Sequence, residues 1–225
     1  MNIDVIRAHK VFAGVTALDG VTLHVDAGER IALTGPNGSG KSTLVRALMG
    51  LVPCEGVRID GRDACGDRRA LADRMAYVPQ TAPSLSAPVD DVVAAIVALR
   101  TIGWRDVAVV ADALALPLAA IGAQPVRALS GGMKQKLMIA LALASPASLI
   151  VLDEPTASLD RSSREAFFDL IEAQAPRATR VVSTHRVEEV RRLADRVITL
   201  EAGRLVADEP ASQWLAGRQE WQVCA

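Results

Sequence analysis

Cysteine is scarce in this sequence, and its spacing limits the chemistry that it can support. The 225 residues include three cysteines, Cys54, Cys65 and Cys224, which are widely separated and form no CxxC pair. A disulfide framework or a structural zinc site needs paired or clustered cysteines. The sequence therefore predicts reduced thiols of the kind found in cytosolic proteins.

An excess of charge of one sign is also missing. The chain has 25 basic and 26 acidic residues, which gives a formal net charge of -1. A surface that attracts nucleic acid through bulk electrostatics usually carries an excess of Lys and Arg. We therefore expect no nucleic-acid partner.

Long apolar runs are absent as well. The longest apolar stretch, LMIALALASPASLIVL, is interrupted by Ser145 and Pro146, whereas a helix that crosses a bilayer needs roughly 20 apolar residues. The first residues, MNIDVIRAHKVF, are charged where a signal peptide has an apolar core. We expect neither a membrane span nor an export signal, so any link to a membrane has to come through a partner.

Alternating strand and helix patterns indicate an α/β fold. The segments IDVIRAHKVF and VTLHVDAG predict a small N-terminal antiparallel sheet, and RIALTG, SLIVLDEP, RVVSTH and RVITLEAGRLV predict later strands. Helical segments such as SSREAFFDLIEAQ and VEEVRRLAD separate those later strands. This alternation predicts a mostly parallel sheet covered on both faces. Length and composition, 225 residues that are 50% hydrophobic, predict one domain over residues 1–225.

Residues 81–129 show no strand pattern, and VDDVVAAIVALR and DVAVVADALAL within them have helical periodicity. We interpret this range as a helical subdomain inserted into the sheet. Residues 206–225 are predicted to form a short C-terminal tail. Trp214 and Trp221 in this tail are spaced to share a helix face, and we expect them to pack onto the body of the protein.

A glycine-rich segment, GPNGSGKST, matches the P-loop pattern GxxxxGK[ST] and lies between a predicted strand and a predicted helix. Glycines allow backbone N-H groups to point at phosphate oxygens, and the helix N-terminus adds partial positive charge. Lys41 is predicted to reach the β- and γ-phosphates, and Ser42 to bind Mg²⁺ through its hydroxyl. The remaining predicted phosphate-site residues are Gly35, Pro36, Asn37, Gly38, Ser39, Gly40 and Thr43. The segment predicts a P-loop nucleotide-hydrolase core with a phosphate-binding loop, and a glycine-rich turn without a ligand is the alternative.

Two adjacent carboxylates, Asp153 and Glu154, end the apolar strand LIVLDEP. The carboxyl ends of parallel strands form the ligand-binding edge of such a sheet. Asp153 is predicted to hold Mg²⁺, often through water, and Glu154 to orient or deprotonate an attacking water.

A second glycine-rich segment, LSGGMKQK, precedes a predicted helix but lacks the P-loop pattern. Ser130 is a natural N-cap, and Gly131 and Gly132 leave the first turn of the helix bare, so that a phosphate could approach its free N-H groups. An ordinary capped helix start is the alternative interpretation of these three residues taken alone.

LSGGMKQK, followed by LIVLDEP and EPTASLD, resembles the signature motif, carboxylate strand and D-loop of ATP-binding cassette (ABC) ATPases. The resemblance covers almost the whole chain. It implies that two cassettes pair head to tail, with each ATP between the P-loop of one subunit and the signature helix of the other. Met133 stands where many members have glutamine, which removes one polar contact, and we expect activity to survive this change.

The resemblance also implies roles for four further residues. Gln80 in YVPQ corresponds to the Q-loop glutamine, which contacts the metal and the nucleophilic water. His185 in STHR corresponds to the switch histidine that holds the γ-phosphate and orders that water. Asp160 corresponds to the D-loop aspartate at the dimer interface. Phe12 occupies the place of the aromatic residue that stacks on adenine, with a core phenylalanine as the alternative.

The resemblance implies an ATP-hydrolysing motor subunit on the cytoplasmic side of a membrane, with a separate transmembrane permease near Gln80. The form GGMKQKLMIALAL resembles export-type and maturation-type cassettes, so we expect export or maturation rather than import. A soluble, non-transport ABC ATPase that acts as a conformational switch is the alternative. A small-molecule kinase would explain Lys41 and Asp153 but not residues 130–132.

Overall fold

The computed structural model describes residues 1–100 and 102–223, with side chains in the last helix described as far as Arg218. The strands are Ile3–Phe12 (β1), Val15–Val25 (β2), Arg30–Thr34 (β3), Val57–Ile59 (β4), Arg62–Asp63 (β5), Met75–Val78 (β6), Leu149–Asp153 (β7), Thr179–Ser183 (β8), Arg196–Glu201 (β9) and Arg204–Pro210 (β10). The helices are Lys41–Leu48 (α1), Arg68–Leu71 (α2), Val89–Arg100 (α3), Trp104–Ala113 (α4), Leu118–Ile121 (α5), Gly131–Leu143 (α6), Arg161–Gln174 (α7), Val187–Leu193 (α8) and Ala211–Val223 (α9).

Packing divides the chain into two compact units. The first unit comprises residues 1–75, 148–154 and 177–225, and the second comprises residues 76–147 and 155–176. The first unit therefore contains strands from the beginning, middle and end of the sequence. The second unit contains helices α3 to α7.

The first unit contains an antiparallel sheet with the order β2-β1-β4-β5 and a mostly parallel sheet in which its strands follow the order β10-β9-β3-β8-β7. Strand β3 pairs in parallel with both β8 and β9, β7 pairs in parallel with β8, and only β10 is antiparallel to its neighbour β9 within this group. These sheets confirm the predicted fold class of a P-loop core with an N-terminal antiparallel sheet.

The central strands are buried along almost their whole length. Every residue of β7 and of β8 is buried, and β3 is buried after its first residue. Strands covered on both faces lack the alternation of an exposed strand, and this continuous burial is typical of parallel sheets. Helix α1 packs on β7 and β8 through an apolar side that includes Leu44, Val45 and Leu48. The residues just beyond β3, β7 and β8 therefore share one edge of the sheet.

Helix α4 organises the second unit, because it packs against α3, α5, α6 and α7. Its buried side chains are Val107, Val110 and Ala111, at the spacing that places them on one helix face. Helices α3, α4 and α5 fall inside the range 81–129 predicted as a helical subdomain. The compact unit has wider limits than that range, because α6 and α7 also belong to it.

The C-terminal range 206–225, predicted as a short tail, contains the end of β10 and all of α9 in the structure. Helix α9 packs against α8, β9 and β10, and Trp214 is buried, as expected. The guanidinium carbon of Arg218 lies 3.8 Å from the Trp214 ring centroid, a cation–π arrangement. The side chain of Trp221 lies outside the described residues.

Two cysteines are free thiols in the structure, with Cys54 buried and Cys65 exposed. Burial raises the pKa of the Cys54 thiol, and the positive charge of Lys10 partly opposes this shift. Cys224 lies outside the described residues. Within residues 1–100 and 102–223, none of the helices combines the length and the apolar content that a bilayer crossing requires.

Candidate functional site

The loop of residues 35–40 joins β3 to α1 and is held in place by backbone from other strands. Gly35 and Gly40 have φ values of 134° and 104°, in the left-handed region that favours glycine. A Cβ on Gly35 would overlap the carbonyl oxygen of Leu200, and a Cβ on Gly40 would overlap that of Ala17. The loop therefore needs glycine at both positions for two reasons, its backbone conformation and its close packing.

The rest of the loop follows the predicted pattern. Ser39 is buried, its N-H donates to Pro36 O at 3.2 Å, and its carbonyl accepts from Gly203 N at 3.0 Å. Asn37 and Gly38 are exposed, and a Cβ on Gly38 would meet nothing within 4 Å. Thr43 lies in the first turn of α1, whose leading N-H groups have no partner within the helix. The loop thus presents an open, donor-rich surface suited to phosphate.

Lys41 is the first residue of α1, and its ammonium group folds back into the loop. It donates to Gly35 O at 2.8 Å and to Pro36 O at 2.9 Å. Burial lowers the pKa of Lys41, while the negative charges of Glu154 and Asp153 oppose the shift. A cation held at the centre of a glycine loop is placed to contact an anionic ligand there.

Ser42 and Asp153 form an oxygen pair between the start of α1 and the end of β7. Ser42 Oγ lies 3.3 Å from Asp153 Oδ1. The Asp153 side chain is buried, and among the described residues its Oδ2 has no hydrogen-bond partner. A buried carboxylate oxygen without a partner is costly unless a ligand satisfies it. Hydroxyl and carboxylate oxygens are ligands that Mg²⁺ prefers, so these two residues fit that ion.

Glu154 has an unusual backbone for a residue with a side chain. Its φ is 47°, in the left-handed region, and its N-H donates to Ser183 O at 2.9 Å. This turn takes the chain off β7 immediately after Asp153. Non-glycine residues in this conformation are strained and occur preferentially at functional sites.

The left-handed turn brings the Glu154 carboxylate to His185, two residues beyond the end of β8. His185 Nδ1 lies 3.2 Å from Glu154 Oε2, and the histidine side chain is 61% exposed whereas the glutamate side chain is 14% exposed. A mostly buried carboxylate beside an open imidazole can accept a proton from water or orient it. The structure therefore brings together Lys41, Ser42, Asp153, Glu154 and His185 within the first unit.

Phe12 is the last residue of β1, and it is 44% exposed. This exposure does not fit the alternative of a core phenylalanine. The ammonium group of Lys10 lies 5.3 Å from the ring centroid, a cation–π distance. A flat aromatic surface is thus available for stacking at the end of this strand.

The signature segment lies in the second unit, where Ser130 caps helix α6. The Ser130 hydroxyl accepts a hydrogen bond from Met133 N at 3.3 Å, which confirms the predicted N-cap. A Cβ on Gly131 would meet nothing within 4 Å, whereas one on Gly132 would lie 3.0 Å from Ser158 O. The two glycines therefore have different roles, because Gly131 keeps the helix tip open and Gly132 allows close packing of residue 158.

Asp160 and Gln80 also belong to the second unit. Asp160 caps helix α7, accepting from Ser163 N at 2.8 Å and from Ser162 Oγ at 2.7 Å. These hydrogen bonds, with the nearby charge of Lys136, hold the pKa of Asp160 well below its usual range. Lys136 Nζ lies 3.6 Å from Asp160 Oδ2, a contact that sequence analysis did not predict. Gln80 is exposed, two residues beyond the end of β6.

The chain matches the family model described as ABC transporter over residues 18–157. This range includes the P-loop, the signature segment and both carboxylates. The chain therefore belongs to the ABC transporter family, and it is an ATP-binding transporter subunit with ATPase activity.

Several known proteins resemble this chain along most of its length. The hemin import ATP-binding protein of Streptomyces coelicolor is 40% identical over 94% of this chain and 78% of its own length. The high-affinity zinc uptake system ATP-binding protein of Bacillus subtilis is 34% identical over 85% of this chain and 87% of its own length. These names describe import and uptake, so they give no support to the expectation of export or maturation.

A solved structure confirms the fold. A dimeric ATP-binding cassette in a post-hydrolysis state, bound to ADP and Pi, has a TM-score of 0.79. It is 24% identical to this chain, with 93% of this chain and 98% of that chain covered. At this identity the similarity establishes the architecture alone.

Replacing Gly40 by alanine is expected to destabilise the protein more than replacing Gly38. Both substitutions force alanine into a left-handed backbone, which costs about 1–2 kcal/mol. Only the Gly40→Ala methyl also displaces the Ala17 carbonyl, whereas Gly38→Ala extends into open space. Urea denaturation of the two variants measures this difference in unfolding free energy. Equal losses would contradict the close packing described for Gly40.

Proposed function

We propose that two copies of this chain pair head to tail and enclose two ATP molecules. In this arrangement each ATP contacts the P-loop of one copy and the helix tip of residues 130–132 of the other. The observation that carries the proposal is the open tip of α6, where Ser130 is exposed and a Cβ on Gly131 would meet nothing within 4 Å. An uncovered helix N-terminus attracts an anionic ligand through its free N-H groups. No lysine precedes the first turn in this segment, so these N-H groups would hold the anion.

The first unit binds and orients the triphosphate in this proposal. Backbone N-H groups of the loop hold the phosphate oxygens, and Lys41 exchanges its carbonyl contacts for the β- and γ-phosphates. Ser42 and Asp153 would hold Mg²⁺, because they supply the hard oxygen ligands that this ion requires. When bound, Mg²⁺ neutralises charge on the phosphate oxygens during hydrolysis. The exposed ring of Phe12 stacks on adenine.

Glu154 acts as the base that orients or deprotonates the attacking water. Its mostly buried carboxylate and its contact with His185 support this role. His185 holds the γ-phosphate and orders the water from its exposed position at the end of β8. Gln80 contacts the metal and the water, and Asp160 lies across the dimer interface. The roles of Gln80 and Asp160 rest on the family resemblance, and those of Glu154 and His185 rest also on their contact within the first unit.

The Glu154→Gln variant is expected to keep ATP binding and to lose ATP hydrolysis. A carboxamide matches the shape of the carboxylate but cannot accept the proton, so kcat should fall by roughly 10²–10⁴-fold. The trapped nucleotide should also convert the variant into a dimer, measured by light scattering during size-exclusion chromatography. Wild-type turnover would exclude Glu154 as the base, and a persistent monomer at high ATP would favour the kinase alternative.

The Gly131→Ala variant tests whether the helix tip contacts ATP of a second copy. Its methyl group points into open space, so stability should stay unchanged or rise by about 0.5–1 kcal/mol. ATP-driven dimerisation of the Glu154→Gln protein should nevertheless weaken at least about tenfold, a change of roughly 1.4 kcal/mol.

Gly217→Ala is the matched control, because Gly217 is also a helical glycine whose Cβ would meet nothing within 4 Å. We expect the control to dimerise as the parent does. Normal dimerisation of Gly131→Ala would remove the shared site from the proposal.

We further propose that the dimer drives a separate transmembrane permease, which holds it at the cytoplasmic face of the membrane. The names of the relatives support import as the direction of transport. Their substrates differ, from hemin to zinc, so the substrate class is set by the permease rather than by this chain.

Purification of the tagged Glu154→Gln protein from native membranes, with ATP and mild detergent, tests this partnership. A polytopic membrane protein should co-purify in fixed stoichiometry and should restore stimulated ATPase activity when reconstituted with the wild-type chain. Recovery of the chain in the soluble fraction with a non-membrane partner would favour a soluble conformational switch instead.

A further inference from the structure

Gln135 is a buried polar residue on α6, and none of the catalytic roles proposed above involves it. Its side chain is 3% exposed. Its amide nitrogen Nε2 donates to Pro79 O at 3.3 Å and to Pro155 O at 3.2 Å. One side chain therefore joins helix α6 to two separate loop segments of the second unit.

The two acceptors are adjacent in sequence to two residues of the proposed catalytic site. Pro79 immediately precedes Gln80, and Pro155 immediately follows Glu154. A position fixed at Pro79 or Pro155 therefore restricts the neighbouring residue through one peptide bond, since the peptide unit is planar and stiff.

Glutamine is suited to this bridge for a simple chemical reason. A carboxamide nitrogen carries two N-H groups, so that it can serve two carbonyl acceptors at once. Glutamate has no donor when ionised, and methionine has none at all. Asparagine keeps both donors but holds them one methylene closer to the helix.

We propose that Gln135 is a positioning residue that sets the placement of Gln80 and Glu154 for ATP hydrolysis. This inference rests on the proposed function, because it assumes that both residues act on ATP. Helix α6 also carries the open tip at Gly131. Gln135 thus joins the helix that would meet a second copy's nucleotide to the segments next to this copy's own Gln80 and Glu154.

The Gln135→Met variant tests the proposal, because it preserves side-chain length and removes both donors. We expect kcat for ATP hydrolysis to fall by about tenfold or more, since small displacements of catalytic groups have effects of this size. ATP affinity of the monomer should stay within about twofold, because the P-loop contacts are unchanged. Gln174→Met is the matched control, a change at an exposed glutamine at the end of α7.

Amide hydrogen exchange separates positioning from general destabilisation. Exchange in Gln135→Met should rise at residues 80–81 and 156–158 and stay at the control level in the rest of α6. If the methionine variant fails to fold, kcat is measured in Gln135→Glu instead, because glutamate keeps the shape of glutamine and, when ionised, has no donor. Gln135→Asn should recover part of the lost kcat.

Two results would overturn the proposal. These are a kcat within twofold of the control in both the methionine and glutamate variants, or exchange that rises uniformly across the second unit. Failure of the proposed function gives a different result, because Glu154→Gln would then retain turnover. Loss of turnover in Glu154→Gln together with normal turnover in Gln135→Met would remove this inference alone.

Discussion

The parallel pairing of β3, β8 and β7 is the constraint on which the catalytic half of the structure depends. Parallel strands end at the same edge of a sheet, so the P-loop, the two carboxylates and the histidine emerge side by side although they are far apart in sequence. Continuous burial of the strands is consistent with this pairing, because strands covered on both faces are typical of parallel sheets. The distances between Ser42 and Asp153 and between Glu154 and His185 follow from it.

Helix α6 has a comparable role in the second unit. Ser130 caps its first turn, and its second glycine, Gly132, packs closely on the backbone at Ser158. Further along the helix, Gln135 donates to two carbonyl groups. Lys136 on the same helix contacts the aspartate that caps α7. These contacts all come from residues 130–136.

Residue patterns in the sequence were sufficient to predict much of the fold and several members of the site. The glycine spacing from Gly35 to Lys41 specifies a phosphate loop, and the alternation of strand and helix patterns predicts a mostly parallel sheet. Local patterns do not report contacts between distant segments, which explains why the bridge from Gln135 to Pro79 and Pro155 was missed. The left-handed backbone of Glu154 was also unpredicted, because neither glycine nor asparagine marks the position.

Transport direction was the least predictable property. The form GGMKQK predicted export or maturation, whereas the names of the relatives describe import and uptake. In the proposed function the permease, rather than the cassette, sets the direction of transport. The known relatives accordingly gave information that neither local sequence nor geometry contained. Fold and site follow from this chain's own physical chemistry, but its place in a larger assembly does not.

The left-handed φ of Glu154 has a consequence for the evolution and engineering of this protein. Glycine would adopt this backbone conformation without strain. A glutamate at this position therefore lowers the folding stability by about 1 kcal/mol relative to an unstrained residue. If Glu154 is the base, as proposed, selection for heat resistance alone would favour such replacements and give a more stable protein without ATPase activity.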